Sequence, residues 1–302
     1  MEPEKAAAIK RAIQANFDAS AASYDDFEGA TGLFSFLARE LAREAGVGPG
    51  MRVIDAGCGT GISTGILAAL VGAGGRVLGI DISAGMVDAA RRRLGGAVNV
   101  ELLVGDVEEL EALVSGPGEG EGGSFDAGGG LQAEAPRPWR VEGPWDAVLY
   151  TASIFLLPDA RRSLRGALAV LRPGGVVGVN YIEGSYVEGR ELFRELLPEW
   201  SGGERFPAPR FPCDVSLLPE ILRECGFCEL REGTVETELG LEGLRRFYQV
   251  PAQSASLYPK QRYEERREAV GRLFRLAEER GVSKGSMRWR WVVGRKRAPA
   301  PG

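Results

Sequence analysis

Histidine is absent from the chain of 302 residues, and cysteine is scarce. Without histidine the chain has no Ser-His-Asp or Cys-His catalytic group, no histidine-ligated zinc or iron site and no imidazole proton relay. The four cysteines are too few to staple a fold of this length with disulfides. We therefore expect reduced thiols and a chemistry that does not depend on imidazole.

Long apolar runs and an excess of positive charge are missing as well. No apolar run reaches the roughly 18 residues that a membrane-spanning helix needs, and the charged segment 1–10 does not resemble a signal peptide. The formal net charge of −5 argues against a generally basic nucleic-acid binder. These features predict a cytoplasmic protein with no membrane span.

Cys225 and Cys228 have the Cys-x-x-Cys spacing that can bind a metal or carry out redox chemistry. A four-ligand zinc site needs further ligands, and the chain offers no second Cys-x-x-Cys pair and no histidine. The segment also fits the end of a helix followed by a glycine and a strand. We therefore predict no metal site, and the role of the pair stays open.

Strands alternate with helices between residues 51 and 182. Apolar runs predict buried strands at 51–56, 76–80, 99–104, 145–150 and 175–182. Helical spacing of apolar residues predicts helices at 62–70, 83–94 and 159–171. Such alternation is typical of right-handed βαβ units, so the sequence predicts an α/β fold in which helices cover both faces of a parallel sheet.

The segments on either side of this core are predicted to belong to the same domain, which would span residues 1–302. Residues 1–46 would form a helical cap of two helices with a polar stretch around Tyr24 between them. The core would span 47–183. Residues 184–302 would form helices that cover the substrate side, together with two late strands.

Glycine is abundant, with 43 residues against a usual share of about 7% of a chain. Part of the excess lies in residues 115–130, within a predicted insertion at 115–144. Ordering glycine costs backbone entropy, and this segment has little apolar surface to bury, so we predict a flexible surface loop. A tolerated insertion and a functional lid are both compatible with this composition.

The strongest local signal is the segment from Asp55 to Gly61, Asp-Ala-Gly-Cys-Gly-Thr-Gly, at the end of the first predicted strand. A dinucleotide fingerprint spaces its glycines G-x-G-x-x-G, and here Ile62 stands where the third glycine should be. Asp55 would repel a pyrophosphate and favour a cationic ligand. Asp81 ends the second strand, where a carboxylate can bind ribose hydroxyls. The pattern therefore favours a nucleoside that carries a positive charge.

Six motifs in order resemble the class I S-adenosylmethionine-dependent methyltransferases, in the small-molecule branch that includes ubiquinone/menaquinone and biotin-pathway enzymes. They are FDASAASYD (17–25), VIDAGCGTG (53–61), GIDISAGMVDAAR (79–91), GDVEEL (105–110), WDAVLYTASIFLLPD (145–159) and LRPGGVVGV (171–179). The resemblance implies a three-layer Rossmann-like fold. Its mostly parallel seven-stranded sheet would have the order 3-2-1-4-5-7-6.

The resemblance also implies which residues would hold S-adenosylmethionine. Those expected at the methionine part are Asp55, Gly57, Cys58, Gly59 and Gly61. Asp81 would bind the ribose hydroxyls. Those expected at the adenine are Ile82, Met86, Asp106 and Val107. For Asp106, a helix N-cap is the alternative role, and both roles are compatible.

Three further residues are expected near the reacting groups. Tyr24 would close over the cofactor from the N-terminal segment, and Tyr150 and Thr151 would lie on the substrate side, where the acceptor meets the methyl group. The alternatives are an ordinary surface aromatic for Tyr24 and core packing for Tyr150.

A sulfonium is a pre-activated methyl donor, so the predicted chemistry is in-line displacement that depends mainly on positioning, worth on the order of 7–11 kcal/mol. The product would be S-adenosylhomocysteine, and the acceptor would be a small molecule. Aromatic residues in the C-terminal part favour a partly apolar acceptor, with core packing as the alternative. These residues are Phe193, Trp200, Phe206, Phe211, Phe247, Tyr248 and Tyr258.

Two other functions stay open. Residues 260–297 carry thirteen Lys or Arg and five Glu, a basic face that an RNA- or protein-methylating enzyme could use. The motif of Asn or Asp, two prolines and an aromatic that is typical of nucleobase N-methyltransferases is missing at 150–153, which disfavours nucleic acid. The other alternative is a protein that binds S-adenosylmethionine without catalysis.

Overall fold

The computed structural model describes residues 2–115, 143–201 and 207–299. The predicted loop at 115–144 lies almost entirely outside the described residues, and so does Phe206. Within the described residues, no helix is both long enough and apolar enough to cross a bilayer.

One sheet runs through the described part of the chain. Its strands are β1 (Arg52–Ala56), β2 (Arg76–Asp81), β3 (Val100–Val104), β4 (Trp145–Tyr150), β5 (Leu171–Val187), β6 (Arg190–Glu191), β7 (Phe227–Glu238) and β8 (Ser286–Lys296). The order is β3-β2-β1-β4-β5-β8-β7, and the two-residue β6 pairs with β5 alone. The predicted α/β sheet and the order of its seven long strands are confirmed. The addition is β6, which follows a turn at Glu188 and Gly189 with positive φ.

The first five strands are parallel, and β8 is antiparallel to both β5 and β7. Neighbouring residues on a strand face opposite sides of the sheet. Val53 belongs to a core cluster with Leu67, and Ile54 belongs to another cluster with Leu164. Burial on both faces explains why the central strands appear in the sequence as continuous apolar runs.

Twelve helices surround this sheet within the described residues. They are α1 (Pro3–Asp18), α2 (Ala21–Thr31), α3 (Leu33–Ala45), α4 (Ile62–Val71), α5 (Ala84–Leu94), α6 (Leu110–Ser115), α7 (Ala160–Val170), α8 (Leu197–Trp200), α9 (Leu218–Glu224), α10 (Gly240–Gln249), α11 (Pro251–Leu257) and α12 (Tyr263–Glu278). The polar stretch predicted around Tyr24 is wrong, because it forms α2. This helix buries Phe27 and ends at Gly32, whose φ of 64° fits a left-handed C-cap.

The chain leaves β1 and β4 toward opposite faces of the sheet, which opens a crevice beyond their carboxyl ends. The helices before β1 pack against helices that follow β7. In particular, α1 contacts α11, and α2 contacts α10; α1 also contacts α5, which follows β2. Segments from both ends of the described chain therefore meet above this crevice.

Candidate functional site

A cavity lies beyond the carboxyl ends of β1 to β4. The strand ends and the loops that follow them contribute Gly57, Cys58, Gly59, Asp81, Ile82, Asp106, Val107 and Thr151 to its wall, and α5 contributes Met86. The N-terminal helices contribute Lys10, Ile13, Phe17, Tyr24 and Phe34. Most of the predicted site residues thus meet in one place, and the N-terminal helices close it.

Asp81 joins the loop after β1 to the end of β2. The Gly59 N–H donates to Asp81 Oδ2 over 2.9 Å, and the Ser83 N–H donates to Oδ1 over 2.9 Å. Burial raises the pKa of Asp81, and the two backbone bonds oppose that rise. A carboxylate has about four acceptor positions, so Asp81 can still accept two ligand hydroxyls.

The three glycines of the loop have different tasks. A Cβ atom on Gly57 would lie 2.5 Å from Ser153 Cβ, so this glycine lets the turn after β4 approach the loop. Gly59 has φ of 53° and open space where a Cβ would be. Gly61 was expected beneath the methionine part, and this expectation needs correction. Its Cβ would lie 2.9 Å from Ala90 Cβ, so Gly61 packs against α5 rather than lining the cavity.

Asp55 lies one layer behind the cavity wall. Its Oδ2 atom accepts hydrogen bonds from Ser63 Oγ and Thr64 Oγ1, each over 2.6 Å. Its Oδ1 atom is buried without a hydrogen-bond partner in the described part of the chain. Burial raises the pKa of Asp55 to about 6. Asp55 is therefore not part of the wall itself, and it is joined to the start of α4 by these two bonds.

Asp106 lies at the end of the site where adenine is expected. Its Oδ1 atom accepts from the Glu108 N–H over 2.9 Å, so it caps the short 3-10 turn that follows. Its Oδ2 atom pairs with Lys10 Nζ at 2.6 Å, and the same ammonium group lies 2.5 Å from Glu108 Oε2. Asp106 therefore has its alternative role, that of a helix N-cap. The sequence did not indicate that Lys10 would be part of the site.

Tyr24 lies in the wall between two other aromatic rings. Its ring is stacked on Phe17 with centroids 5.8 Å apart, and the Phe34 centroid is 5.3 Å away. Its hydroxyl oxygen accepts a hydrogen bond from Gln253 Nε2 over 2.7 Å. Tyr24 is thus built into the cavity wall, which excludes the alternative of an ordinary surface aromatic.

The turn after β4 has an uncommon backbone conformation. Ala152 has φ of 52°, a left-handed value that a residue with a Cβ rarely adopts. Its N–H donates to Asn180 Oδ1 over 2.6 Å, and Asn180 Nδ2 donates to the Leu37 carbonyl over 3.2 Å. Ser153 Oγ donates to the Ala56 carbonyl over 2.6 Å. The fold therefore holds this strained turn against the glycine loop, and Asn180 is a contributor that the sequence did not reveal.

Tyr150 does not reach the cavity, which corrects its expected place on the substrate side. It is fully buried, and its hydroxyl lies 2.7 Å from Ser163 Oγ on α7. The cause is strand alternation, because Val148 and Tyr150 face the same side of β4. In the structure Tyr150 has its alternative role, that of a residue packed in the core. Thr151, the next residue, lines the cavity.

Three of the aromatic residues expected around an apolar acceptor pack on one another instead. Tyr248 contacts Phe193 and Phe247 with ring centroids 4.9 and 5.1 Å away. Among the described residues of that set, none lines the cavity.

The two cysteines of the Cys-x-x-Cys pair face different backbone carbonyls. Cys225 Sγ donates to the Arg161 carbonyl, and Cys228 Sγ donates to the Arg295 carbonyl.

Two buried hydroxyls test whether S-adenosylmethionine and a polar acceptor fit this cavity. Thr60 Oγ1 and Thr151 Oγ1 belong to wall residues, and neither has a hydrogen-bond partner in the described part of the chain. Buried polar atoms nearly always have partners, so these atoms fit a polar ligand. Asp81 can accept ribose hydroxyls, and Ile82 and Met86 offer an apolar contact for adenine. The residues present therefore fit the cofactor.

Comparisons with known proteins agree with this fit. Residues 48–202 match the family described as methyltransferase domain, and the chain belongs to this family. It is 30% identical over 241 residues to aklanonic acid methyltransferase DauC of Streptomyces sp. (strain C5), covering 74% of this chain and 96% of that protein. It is 32% identical to nocamycin O-methyltransferase of Saccharothrix syringae, covering 74% and 75%.

A solved structure supports the fold. A crystal structure from Bacillus halodurans aligns with a TM-score of 0.52 and 15% identity, covering 86% of this chain and 99% of that one. Some similarities are shorter. Three other curated relatives match over 29%, 30% and 36% of their own lengths.

Proposed function

We propose that the chain transfers a methyl group from S-adenosylmethionine to a small molecule. The observation that carries this proposal is the cavity itself, in which Asp81, the glycine loop and the unpaired Thr60 and Thr151 hydroxyls share one wall. Membership of the methyltransferase family supports it. We also propose that residues 1–302 form one domain in the cytoplasm.

The proposed binding roles follow the chemistry of the wall. Asp81 accepts the ribose hydroxyls, while Ile82, Met86 and Val107 contact the adenine. Asp106, tied to Lys10, accepts from the adenine edge with its remaining lone pairs. The backbone of the loop from Gly57 to Gly59 and the Thr60 hydroxyl bind the methionine part. Asp55 supports the cationic centre from behind the loop.

The chain's part in the reaction is positioning. When bound, S-adenosylmethionine supplies an electrophilic methyl carbon attached to a sulfonium sulfur. The turn from Thr151 to Ser153 holds the acceptor atom in line with that carbon, and the Thr151 hydroxyl binds the acceptor. Phe17, Tyr24 and Phe34 exclude water. Positioning of this kind can lower a barrier by on the order of 7–11 kcal/mol.

A small-molecule acceptor is favoured over a nucleic acid. Two relatives are named as methyltransferases of small molecules, aklanonic acid and nocamycin. On the face proposed for RNA, Arg288 pairs with Glu236 and Arg290 pairs with Glu232. These glutamates lie on β7, outside the basic segment, and offset part of its charge. Arg288 and Arg290 thus have protein partners in place of phosphates.

Calorimetric titration tests the proposal. S-adenosylmethionine should bind the intact chain, and Asp81→Ala should weaken binding about 100-fold because it removes charge-assisted hydrogen bonds to two hydroxyls. Asp88→Ala on α5 is the matched control, because this side chain is 46% exposed and does not line the cavity. Absence of binding, or equal binding by Asp81→Ala, would reject the cofactor assignment. Binding without methyl transfer to any small molecule in a screen would favour the non-catalytic alternative.

A further inference from the structure

Gln253 lies on α11 and reaches the cavity wall only through another residue. Its side chain is buried, with 5% of its surface exposed. Its Nε2 atom donates to the Tyr24 hydroxyl oxygen over 2.7 Å, although the two residues are 229 positions apart. Tyr24 lines the cavity, and Gln253 does not. A buried amide therefore makes a directed contact with one residue of the site.

The direction of this bond decides what the tyrosine can do. A phenol has one proton to donate and lone pairs that accept. Because the amide of Gln253 donates to the oxygen, the proton of Tyr24 is not used in this bond and remains available to a second acceptor. Burial raises the pKa of Tyr24, and the nearby Asp81 carboxylate acts in the same sense. The phenol therefore keeps its proton throughout the working pH range.

The surrounding contacts hold both partners in place. The Tyr24 ring is fixed between Phe17 and Phe34. On the side of α11, the Ala252 N–H donates to Ser20 Oγ over 3.0 Å, immediately before Gln253. This bond fixes the backbone that carries Gln253 against the start of α2, at the position from which its amide reaches the Tyr24 hydroxyl.

We propose that Gln253 is a positioning residue that holds the Tyr24 hydroxyl as a hydrogen-bond donor toward the S-adenosyl ligand. The inference rests on the proposed function and adds α11 to the cofactor site. Gln253 touches no ligand itself. Its effect on binding passes entirely through the orientation of the Tyr24 proton.

The substitution Gln253→Glu reverses the hydrogen bond with almost no change in size. An ionised carboxylate accepts the Tyr24 proton and removes it from the ligand. The dissociation constant for S-adenosylhomocysteine, measured by calorimetry at pH 8, should rise about ten-fold. The loss should shrink at lower pH, because a protonated carboxyl can donate to the tyrosine again. Gln249→Glu places the same charge on α10, away from the cavity, and should bind as the unaltered chain does.

A double-mutant cycle shows whether the effect passes through Tyr24. Tyr24→Phe alone should weaken binding by a similar factor, and adding Gln253→Glu to it should change nothing further. Unaltered binding by Gln253→Glu would overturn the inference, because the amide oxygen would then face the hydroxyl. A further loss in the Tyr24→Phe background would also overturn it.

Two other outcomes also decide the inference. If the unaltered chain binds neither S-adenosylmethionine nor S-adenosylhomocysteine, the proposed function fails and this inference fails with it. If Gln253→Glu does not fold, as judged by circular dichroism, Gln253→Met replaces it. That variant leaves the hydroxyl unfixed, so binding should weaken about three-fold, and only when Tyr24 is present. An equal loss in both backgrounds would reject the inference.

Discussion

Lys10 Nζ lies 2.6 Å from Asp106 Oδ2 and 2.5 Å from Glu108 Oε2, so a single ammonium group of α1 joins two carboxylates that follow β3. The Glu108 side chain is only 3% exposed, and the Lys10 side chain is 21% exposed. The ion pair of Lys10 and Glu108 thus lies at the inner edge of the cavity rather than in open solvent. It ties the N-terminal helices to the end of the site where adenine is expected.

Lys10→Met should therefore destabilise the fold. It leaves the Glu108 carboxylate buried without its cation, which costs on the order of 2 kcal/mol of the free energy of unfolding. Urea unfolding at pH 7 measures this loss. Lys5→Met on the exposed part of the same helix is the control and should be neutral. Equal effects of the two changes would mean that the contact contributes no specific stability.

Asp55 should make stability depend on pH in a direction opposite to that of an ordinary salt-bridged carboxylate. Burial raises its pKa to about 6 from an ordinary 3.8, so the ionised form is disfavoured in the folded state. The resulting penalty is present above pH 6 and disappears as the pH falls toward 4. Asp55→Asn keeps an acceptor for Ser63 and Thr64. Its melting temperature should exceed that of the unaltered chain at pH 8, with a smaller difference at pH 5.

The same carboxylate should distinguish the methyl donor from its product. S-adenosylmethionine carries a sulfonium charge and S-adenosylhomocysteine does not, so ionised Asp55 favours the former. The ratio of their dissociation constants should therefore shift toward S-adenosylmethionine as the pH rises through about 6. In Asp55→Asn the ratio should be independent of pH. A pH-dependent ratio in that variant would assign the effect to another group.

Asn180 and Ala152 should be energetically coupled. Asn180→Ala leaves the Ala152 N–H without its partner and removes the bond to the Leu37 carbonyl, at a cost of about 2 kcal/mol. Ala152→Gly removes the left-handed strain, worth roughly 1 kcal/mol before the entropy of glycine is counted. In the Ala152→Gly background, Asn180→Ala should cost less, because the turn can relax. A double-mutant cycle in urea measures the coupling, and strictly additive effects would contradict it.

Tyr150→Phe should leave ligand binding unchanged. The hydroxyl faces Ser163 on α7, so its loss should cost about 1 kcal/mol of stability and nothing in affinity for S-adenosylmethionine. Thr151→Val is the matched comparison. The Thr151 hydroxyl is buried without a partner in the described residues, so its removal should not destabilise the fold. A ten-fold loss of affinity in Tyr150→Phe would show that the Tyr150 hydroxyl does contribute to ligand binding.

The sequence predicted the parts of the site that follow directly from the strands. Asp81 and the loop from Gly57 to Gly59 lie at strand ends, and apolar runs locate strand ends well. The prediction for Tyr150 was wrong because a strand buried on both faces has no polar alternation that would show which face a residue joins, and in the structure Tyr150 shares the core face of Val148. Side chains that reach the site only because distant elements pack together left no signal in the local sequence.

Those missed residues are separated from their partners by long stretches of chain. Lys10 lies 96 positions from Asp106, and Gln253 lies 229 positions from Tyr24. Asn180 is only 28 positions from Ala152, yet its contact depends on the pairing of β4 with β5. Hydrophobic periodicity specifies which face of a helix is buried. It does not specify which polar group on another element the helix meets.

The position of β8 between β5 and β7 constrains the order in which the sheet can form during synthesis. Ribosomes make β7 before β8, yet in the described residues β7 pairs only with β8. Until residues 286–296 emerge, β7 has no strand to pair with, and the edge of β5 that β8 will cover is open, because β6 pairs with β5 on the opposite edge. The nascent chain therefore exposes unpaired strand edges during this interval, which makes this stage of folding the one most exposed to aggregation.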